Sequence, residues 1–370
     1  MKSLNVETLA NFLGISSLYL KVVFSFLLAF LLVYTAIPKI IRVSYRKQLM
    51  DVPGSRSSHQ NKVPTLGGVA LFFAITVVSA IFSAEMLFQY IFFSAALVLL
   101  FFIGLMDDLL IVAPKKKLYA QVVSALMIIV GSGVRIESLF GLMGIYELPY
   151  WLSVLFTTIV FVIMINSYNL IDGIDGLAGG VGALISICFV FIFFRLYDYS
   201  AGFLAIAILG ALLAFLKFNL STQYKIFMGD TGSMVVGYLI AFMAIKFMNL
   251  ASNEWIQISN APVIAIAILI VPIIDTLSVI IIRLSQKKSP FSADRNHIHH
   301  RVLRLGLNHI EASVVICLSN VLIIILAYFL RHFEINIMLI LIILAALILS
   351  YLPLIVSEKI NKKHSNVVNK

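Results

Sequence analysis

The sequence predicts an all-α, polytopic membrane protein with about eleven transmembrane helices, the N-terminus outside and the C-terminus cytoplasmic. Three observations predict it. Of 370 residues, 61% are hydrophobic and only 12% charged. That charged share is about half that of a soluble domain, and a soluble fold of this length has no interior able to hide so much apolar surface. Second, the apolar residues fall into runs near the roughly 20 residues that cross a bilayer as a helix. Third, with the N-terminus outside, the 27 Lys and Arg divide 21 to 6 in favour of the cytoplasmic segments, a strong positive-inside bias. The net charge of +10 is then a property of cytoplasmic loops, with no nucleic-acid partner implied. A soluble enzyme, a disordered chain and a fibrous repeat are excluded.

The first run, 18–41, carries Lys21 and has no small-x-small cleavage site, so it reads as an anchor, not a removed signal peptide. Run 66–84 opens on Gly67-Gly68 and is the weakest by hydropathy; run 87–106 ends at Asp107-Asp108. Run 118–134 follows Pro114-Lys-Lys-Lys, and run 150–169 ends in a series of carboxamides and carboxylates. Runs 177–196 and 200–218 are uninterrupted, and run 231–250 follows Phe227-Met-Gly-Asp. Run 261–282 contains Asp275, and runs 312–330 and 335–356 complete the set. No repeat or low-complexity linker divides the chain. One membrane domain, 1–370, with a core at 18–356 and a basic cytoplasmic tail at 357–370, is the expected organisation. Cys188 and Cys317 lie in apolar runs and read as packing residues.

Four polar clusters stand at span ends: Asp107-Asp108; Asn166, Asn169, Asp172 and Asp175; Asp230; and His297, His299 and His300 beside Arg301. The parity of eleven spans brings all four to the cytoplasmic face, although none of them entered the charge count. Each alone has a plain reading as a solvated boundary, a turn or a helix cap. Together they place five carboxylates at one membrane surface, where acids are costly unless solvated, paired or functional. A divalent cation removes their repulsion, and hard oxygen donors without nearby thiols favour magnesium, or manganese, over zinc. Imidazoles and arginines suit phosphate. Metal, phosphate and donors at a membrane boundary suit phosphoryl transfer between a water-soluble donor and a lipid phosphate. A secondary transporter would place its ionisable groups near the midplane, often with internal repeats, and a lipid-carrier binder or flippase has no use for five acids beside a metal.

The motifs Pro64-Thr-Leu-Gly-Gly68, Asp107-Asp108, Pro114-Lys-Lys-Lys-Leu118 with Gln121, and Asn166-x-x-Asn-x-x-Asp-Gly-x-Asp-Gly-Leu-Ala178 recur in a known order with Phe227-Met-Gly-Asp-Thr-Gly-Ser233, Pro272-x-x-Asp-Thr276 and His297-Ile-His-His-Arg301. Over about 18–355 the chain resembles the polyprenyl-phosphate N-acetylhexosamine-1-phosphate transferases, glycosyltransferase family 4. The histidine motif is similar to that of the bacterial undecaprenyl-phosphate GlcNAc-1-phosphate transferases. The chain departs from the family in lacking a proline shortly before Phe227; Ser221-Thr-Gln-Tyr-Lys225 stands there.

The resemblance implies a multi-pass enzyme of the bacterial cytoplasmic membrane, its active site facing the cytoplasm. It implies transfer of N-acetylglucosamine 1-phosphate from UDP-GlcNAc to undecaprenyl phosphate, giving the lipid diphosphate sugar and UMP, as the initiating step of a surface polysaccharide such as an O-antigen. Other UDP-N-acetylhexosamines stay open as donors, and a homo-oligomer is compatible with the sequence. In the implied roles, Asp107 and Asp108 are the catalytic pair, and Asn169 and Asp230 ligate Mg2+ (or Mn2+). Asp172 and Asp175 hold the nucleotide side, and Lys117 meets a phosphate. Lys62 and Thr65 border the uridine pocket, while His297, His299, His300 and Arg301 bind the diphosphate and sugar.

Overall fold

The computed structural model describes residues 16–50, 62–110, 112–252, 258–287 and 297–368. Fourteen helices and one hairpin follow in order: α1 Ser17–Lys47, α2 Gly67–Phe82, α3 Ala84–Gln89, α4 Ile91–Leu110, α5 Pro114–Ser132, β1 Ser138–Leu142, β2 Ile145–Glu147, α6 Tyr150–Ile171, α7 Leu177–Arg195, α8 Tyr199–Asn219, α9 Gly229–Ala251, α10 Ala261–Ile268, α11 Ile270–Ser285, α12 Ile298–Leu303, α13 His309–Leu330 and α14 Ile335–Val368. Among the described residues eight of these are long and apolar enough to cross a membrane, or nine when α10 and α11 are taken as one broken span. This is the architecture of a polytopic membrane protein. Helix α2, with 16 residues, is shorter than run 66–84 suggested.

Helix α9 is the axis of the molecule. In its most apolar stretch 89% of residues are buried, against 22% in α1, so α9 meets protein on all sides while α1 meets lipid on most. Helices α2, α4, α6 and α7 pack around α9, and α8 sits between α1, α2 and α7. Without a hydrophobic drive between helices in lipid, close packing and small residues carry the contacts. A Cβ on Gly68 of α2 would overlap the backbone of Gly232 in α9, and one on Gly210 of α8 would lie 2.7 Å from the Phe26 carbonyl of α1. Aromatic rings of Phe93, Tyr238 and Phe161 stack across α4, α9 and α6, with centroids 5.5 and 5.4 Å apart.

Two features correct the sequence expectation. Run 261–282 is not one straight span: α10 and α11 meet at Leu269 with an 80° bend. Pro272 has no N–H to give the Ile268 carbonyl four residues earlier, and the Asn320 side chain of α13 donates to that carbonyl instead, at 3.3 Å. The protein is also not purely helical. The α5–α6 connection forms an antiparallel hairpin, β1 with β2. Met143 and Gly144 at its tip both have positive φ, 52° and 76°, as a two-residue turn matched to strand twist requires. Helix α14 runs on through Val368.

Candidate active site

The C-terminal ends of α4 and α6 and the N-terminal ends of α5, α7 and α9 meet at one end of the bundle, and the polar clusters meet with them. Asp108, near the end of α4, accepts the backbone N–H groups of Asp230 at 2.8 Å and Thr231 at 3.0 Å, and the Thr231 hydroxyl. A helix start leaves its first N–H groups without internal partners; α9 has no capping side chain of its own, and Asp108 supplies one from another helix. The turn it holds leaves no spare room. Gly229 has φ 71°, and a Cβ there would strike the Thr65 carbonyl and the Asp108 carboxylate. The motif at 64–68 closes the turn from the other side: Phe227 donates to the Pro64 carbonyl at 2.8 Å, and Gly67 and Gly68 donate to the carbonyls of Phe227 and Met228 at 3.0 and 2.8 Å.

Asp107 is placed differently. One oxygen accepts the Val112 N–H at 2.6 Å, and the other lies 2.6 Å from the Lys117 ammonium. Lys117, in the first turn of α5, also pairs with Asp230. The other Asp230 oxygen accepts the Asn169 amide N–H at 2.9 Å, and the same amide reaches the Ser233 hydroxyl at 2.7 Å. Asn169 therefore turns its nitrogen to Asp230, and its oxygen is the corner left for a cation or donor group. Gln121 and Asn166 pair their amides reciprocally, at 2.6 and 3.3 Å, tying α5 to α6 behind this cluster.

The Asp-Gly turn between α6 and α7 carries the next two acids. Asp172 is half-buried, and its side chain has no hydrogen bond or ion pair among the described residues. Burial, reinforced by the charges of Asp230, Asp108 and Asp175, pushes its pKa well above the usual carboxylate range. Asp175 is the opposite case. Burial acts to raise its pKa, but His309 at 3.1 Å and Lys225 at 2.7 Å outweigh it and hold the carboxyl below its usual value. Asn219 locks the turn in place, accepting the Gly176 N–H at 2.7 Å and donating to the Ile226 carbonyl at 3.0 Å. This bridge shapes the 220–226 loop that has no proline.

The histidine tract opens on α12. His299 is 3% exposed, its Nδ1 has no partner among the described residues, and its ring lies against Gly173, where a Cβ would come 2.8 Å from Nε2. Burial, with help from the neighbouring His300, pushes its pKa down to about 3, so the imidazole is neutral. The His300 ring lies 4.3 Å from it. His297 pairs with buried Asp275. Arg301 is 1% exposed and turned toward α14, donating to the Ser350 hydroxyl at 3.0 Å and lying over the Tyr351 ring. Lys62 is exposed on the segment that leads into Thr65.

Asp107, Asp108, Lys117, Asn169 and Asp230 thus form one connected cluster, with Thr65 beneath it, and Asp172, Asp175 and His299 line the adjoining turn. Sequence reasoning missed Lys225 and His309, which hold Asp175. His309 opens a helix whose Asn308-x-x-Glu311 capping box is legible, but its partner lies 134 residues away.

The chain matches the description Glycosyl transferase family 4 over residues 90–248. It is 30% identical over 284 residues to the undecaprenyl-phosphate alpha-N-acetylglucosaminyl 1-phosphate transferase of Salmonella typhi, covering 75% of each chain. It belongs to glycosyl transferase family 4. To the probable undecaprenyl-phosphate N-acetylglucosaminyl 1-phosphate transferase of Bacillus subtilis, this family 4 chain is 31% identical over 308 residues, 81% of the chain and 82% of that protein. The Yersinia pestis relative, named as the Salmonella one is, shares 29% over 306 residues. The stretch 90–248 runs from the start of α4 to the last turn of α9, and holds every acid of the cluster.

Proposed function

We propose that the chain transfers N-acetylglucosamine 1-phosphate from UDP-GlcNAc to undecaprenyl phosphate, releasing UMP, and that this starts a surface polysaccharide in a bacterial cytoplasmic membrane. The observation that carries the reading is the meeting of Asp107, Lys117 and Asp230 from three helices at one end of the bundle. The names of relatives matched over three quarters of the chain or more support the substrates. In this reading the bundle crosses the membrane eleven times, with the cluster at the cytoplasmic boundary.

The residues fit magnesium. Among the described residues no three of His, Cys, Asp and Glu are grouped as a ready cage. Two carboxylates that already share one cation, the Lys117 ammonium, are the usual protein share of a magnesium site that substrate phosphates and waters complete. Asp107 and Asp230 would hold the ion, with the Asn169 oxygen and Asp172 beside them. When bound, it would neutralise the donor diphosphate.

The chain's own groups then position and polarise. The lipid phosphate is already an anion at neutral pH and needs no strong base. Its oxygen forms a bond to the sugar-bearing phosphorus of the donor; the anhydride bond between the two donor phosphorus atoms breaks; UMP leaves with the electron pair. Lys117, freed from one acid as ligand enters, faces the charge on the phosphates. Asp107 orients the acceptor, and Asp108 keeps the Asp230 turn in place. Asp175, fixed by Lys225 and His309, and Thr65 with Lys62 serve the nucleotide side. Neutral His299 serves the diphosphate as a hydrogen-bonding group, with His297 and His300 beside it. Arg301 supports the tract from behind.

The test supplies purified protein with radiolabelled UDP-GlcNAc, UDP-GalNAc or a UDP-deoxyaminosugar, plus undecaprenyl phosphate and magnesium. The expected result is solvent-extractable label from UDP-GlcNAc and one UMP per lipid product. Label from another donor alone would replace the sugar, and no lipid-linked label from any donor would sink the reading.

A further inference from the structure

Asp275 is a carboxylate 1% exposed in α11, the second half of the broken helix pair. Helix α11 packs on α6, whose end carries Asn169 and Asp172. A buried carboxylate is costly unless its oxygens are hydrogen-bonded, and here both are used. One accepts the Ile298 N–H at 2.5 Å, in the first turn of α12; the other lies 2.9 Å from Nδ1 of His297, the residue just before that helix. A carboxylate accepts only, so Nδ1 of His297 carries the proton and Nε2 is left for other partners. The His297 ring lies parallel to that of His299, with centroids 5.7 Å apart and planes within 9°. His299, in turn, fills the space above Gly173 in the acid-bearing turn. An unbroken path therefore runs from Asp275 through His297 and His299 to the turn that carries Asp172 and Asp175.

We propose that Asp275 is a positioning residue: it anchors the first turn of α12 and fixes the tautomer and orientation of His297, so that the histidine tract is set against the Asp-Gly turn before substrate arrives. Asp275 touches no substrate; it acts through His297. A carboxylate partner of this kind sets the usable nitrogen of a histidine; beside metal-bound histidines its removal costs about ten- to a hundredfold in affinity or activity, which sets the scale for this tether. The bend at Leu269 has a place in this arrangement, because it turns α11 so that Asp275 lies below the tract.

The inference rests on the transferase reading for its kinetic arm, and the test separates the two. Asp275→Asn keeps the shape and one acceptor. Its amide N–H must face Nδ1 of His297, which drives the ring proton to Nε2. In selectively 15N-labelled protein the His297 nitrogens should exchange their protonated and bare signatures. Turnover should fall about ten- to a hundredfold with the donor KM raised, at an unfolding temperature near that of the parent protein. Asp275→Glu, which keeps the charge, should recover part of the loss. In a His297→Ala background, Asp275→Asn should cost little more, since the path is already cut. An unchanged His297 tautomer in Asp275→Asn, or an equal loss of turnover with and without His297, would overturn the inference. If the parent protein transfers no sugar phosphate but the tautomer switches as expected, the transferase reading fails and the tether stands.

Discussion

Asp107 and Asp108 are neighbours in sequence with different work. Asp108 spends its carboxylate on the first turn of α9, and Asp107 shares an ammonium with Asp230. Asp108→Asn turns an amide NH2 toward one of those N–H groups and leaves it without an acceptor, so it should lower unfolding stability by about 1–2 kcal/mol, as lost helix caps do, along with turnover. Asp107→Asn should abolish turnover with far less change in unfolding temperature. Equal thermal losses in the two variants would contradict this division. Asp172 gives the reverse sign. A carboxyl whose pKa is raised on folding destabilises the fold once pH exceeds its unfolded value, about 4. Asp172→Asn removes that penalty, so at neutral pH it should unfold at a higher temperature while transferring less sugar phosphate; a lower unfolding temperature would refute the assignment. The sequence made the acids themselves legible, as types at span ends. It could not say which of two adjacent carboxylates caps a helix, because the capped N–H groups lie 122 and 123 residues away.

Hydropathy marks helices well because lipid admits little else: most apolar runs lie on one helix, 261–282 lies on a bent pair, and 87–106 begins in α3 and continues in α4 across Tyr90. The departures have local causes that were also in the sequence. Pro272 strips the Ile268 carbonyl of its partner, and Gly144 takes up positive φ in the turn without steric cost. What hydropathy cannot register is the pairing of loops across the bundle end. Asn219 bridges the α6–α7 turn and the loop before α9; Asn219→Ala leaves two buried backbone groups unpaired and should cost about 1–3 kcal/mol, measurable by unfolding in detergent. Asp175 ties the same turn to α13 and Lys225. Its folded pKa lies below its unfolded one, so its contribution is complete above about pH 4 and is lost as pH falls through the lower folded value. The stability gap between the parent protein and Asp175→Asn should therefore be flat near neutrality and close in acid. A gap that widens as pH falls would contradict the sign.

For the molecule as a whole, the acid cluster and the β1–β2 hairpin lie at opposite ends of the bundle: α5 and α6 each run from one to the other. With Cys188 and Cys317 replaced by serine, a cysteine at Gln223 in the site-end loop should be shielded from an impermeant thiol reagent in intact cells. A cysteine at Met143 on the hairpin should be labelled. The reverse pattern would invert the orientation. The charge split is the sequence's argument for that orientation; the convergence of four separate motifs on one small volume needed the tertiary packing around α9. That convergence underlies the central claim, that a cytoplasmic sugar nucleotide and a lipid phosphate react directly in one site. A single displacement lets labelled UMP exchange into UDP-GlcNAc only when lipid acceptor or lipid product is present, whereas a covalent enzyme intermediate on an aspartate allows exchange without lipid. The decisive measurement is that exchange in rigorously delipidated protein with magnesium, before and after adding undecaprenyl phosphate. The expected result is no exchange before and steady exchange after. Robust exchange without lipid, abolished by Asp107→Asn or Asp108→Asn, would contradict the account.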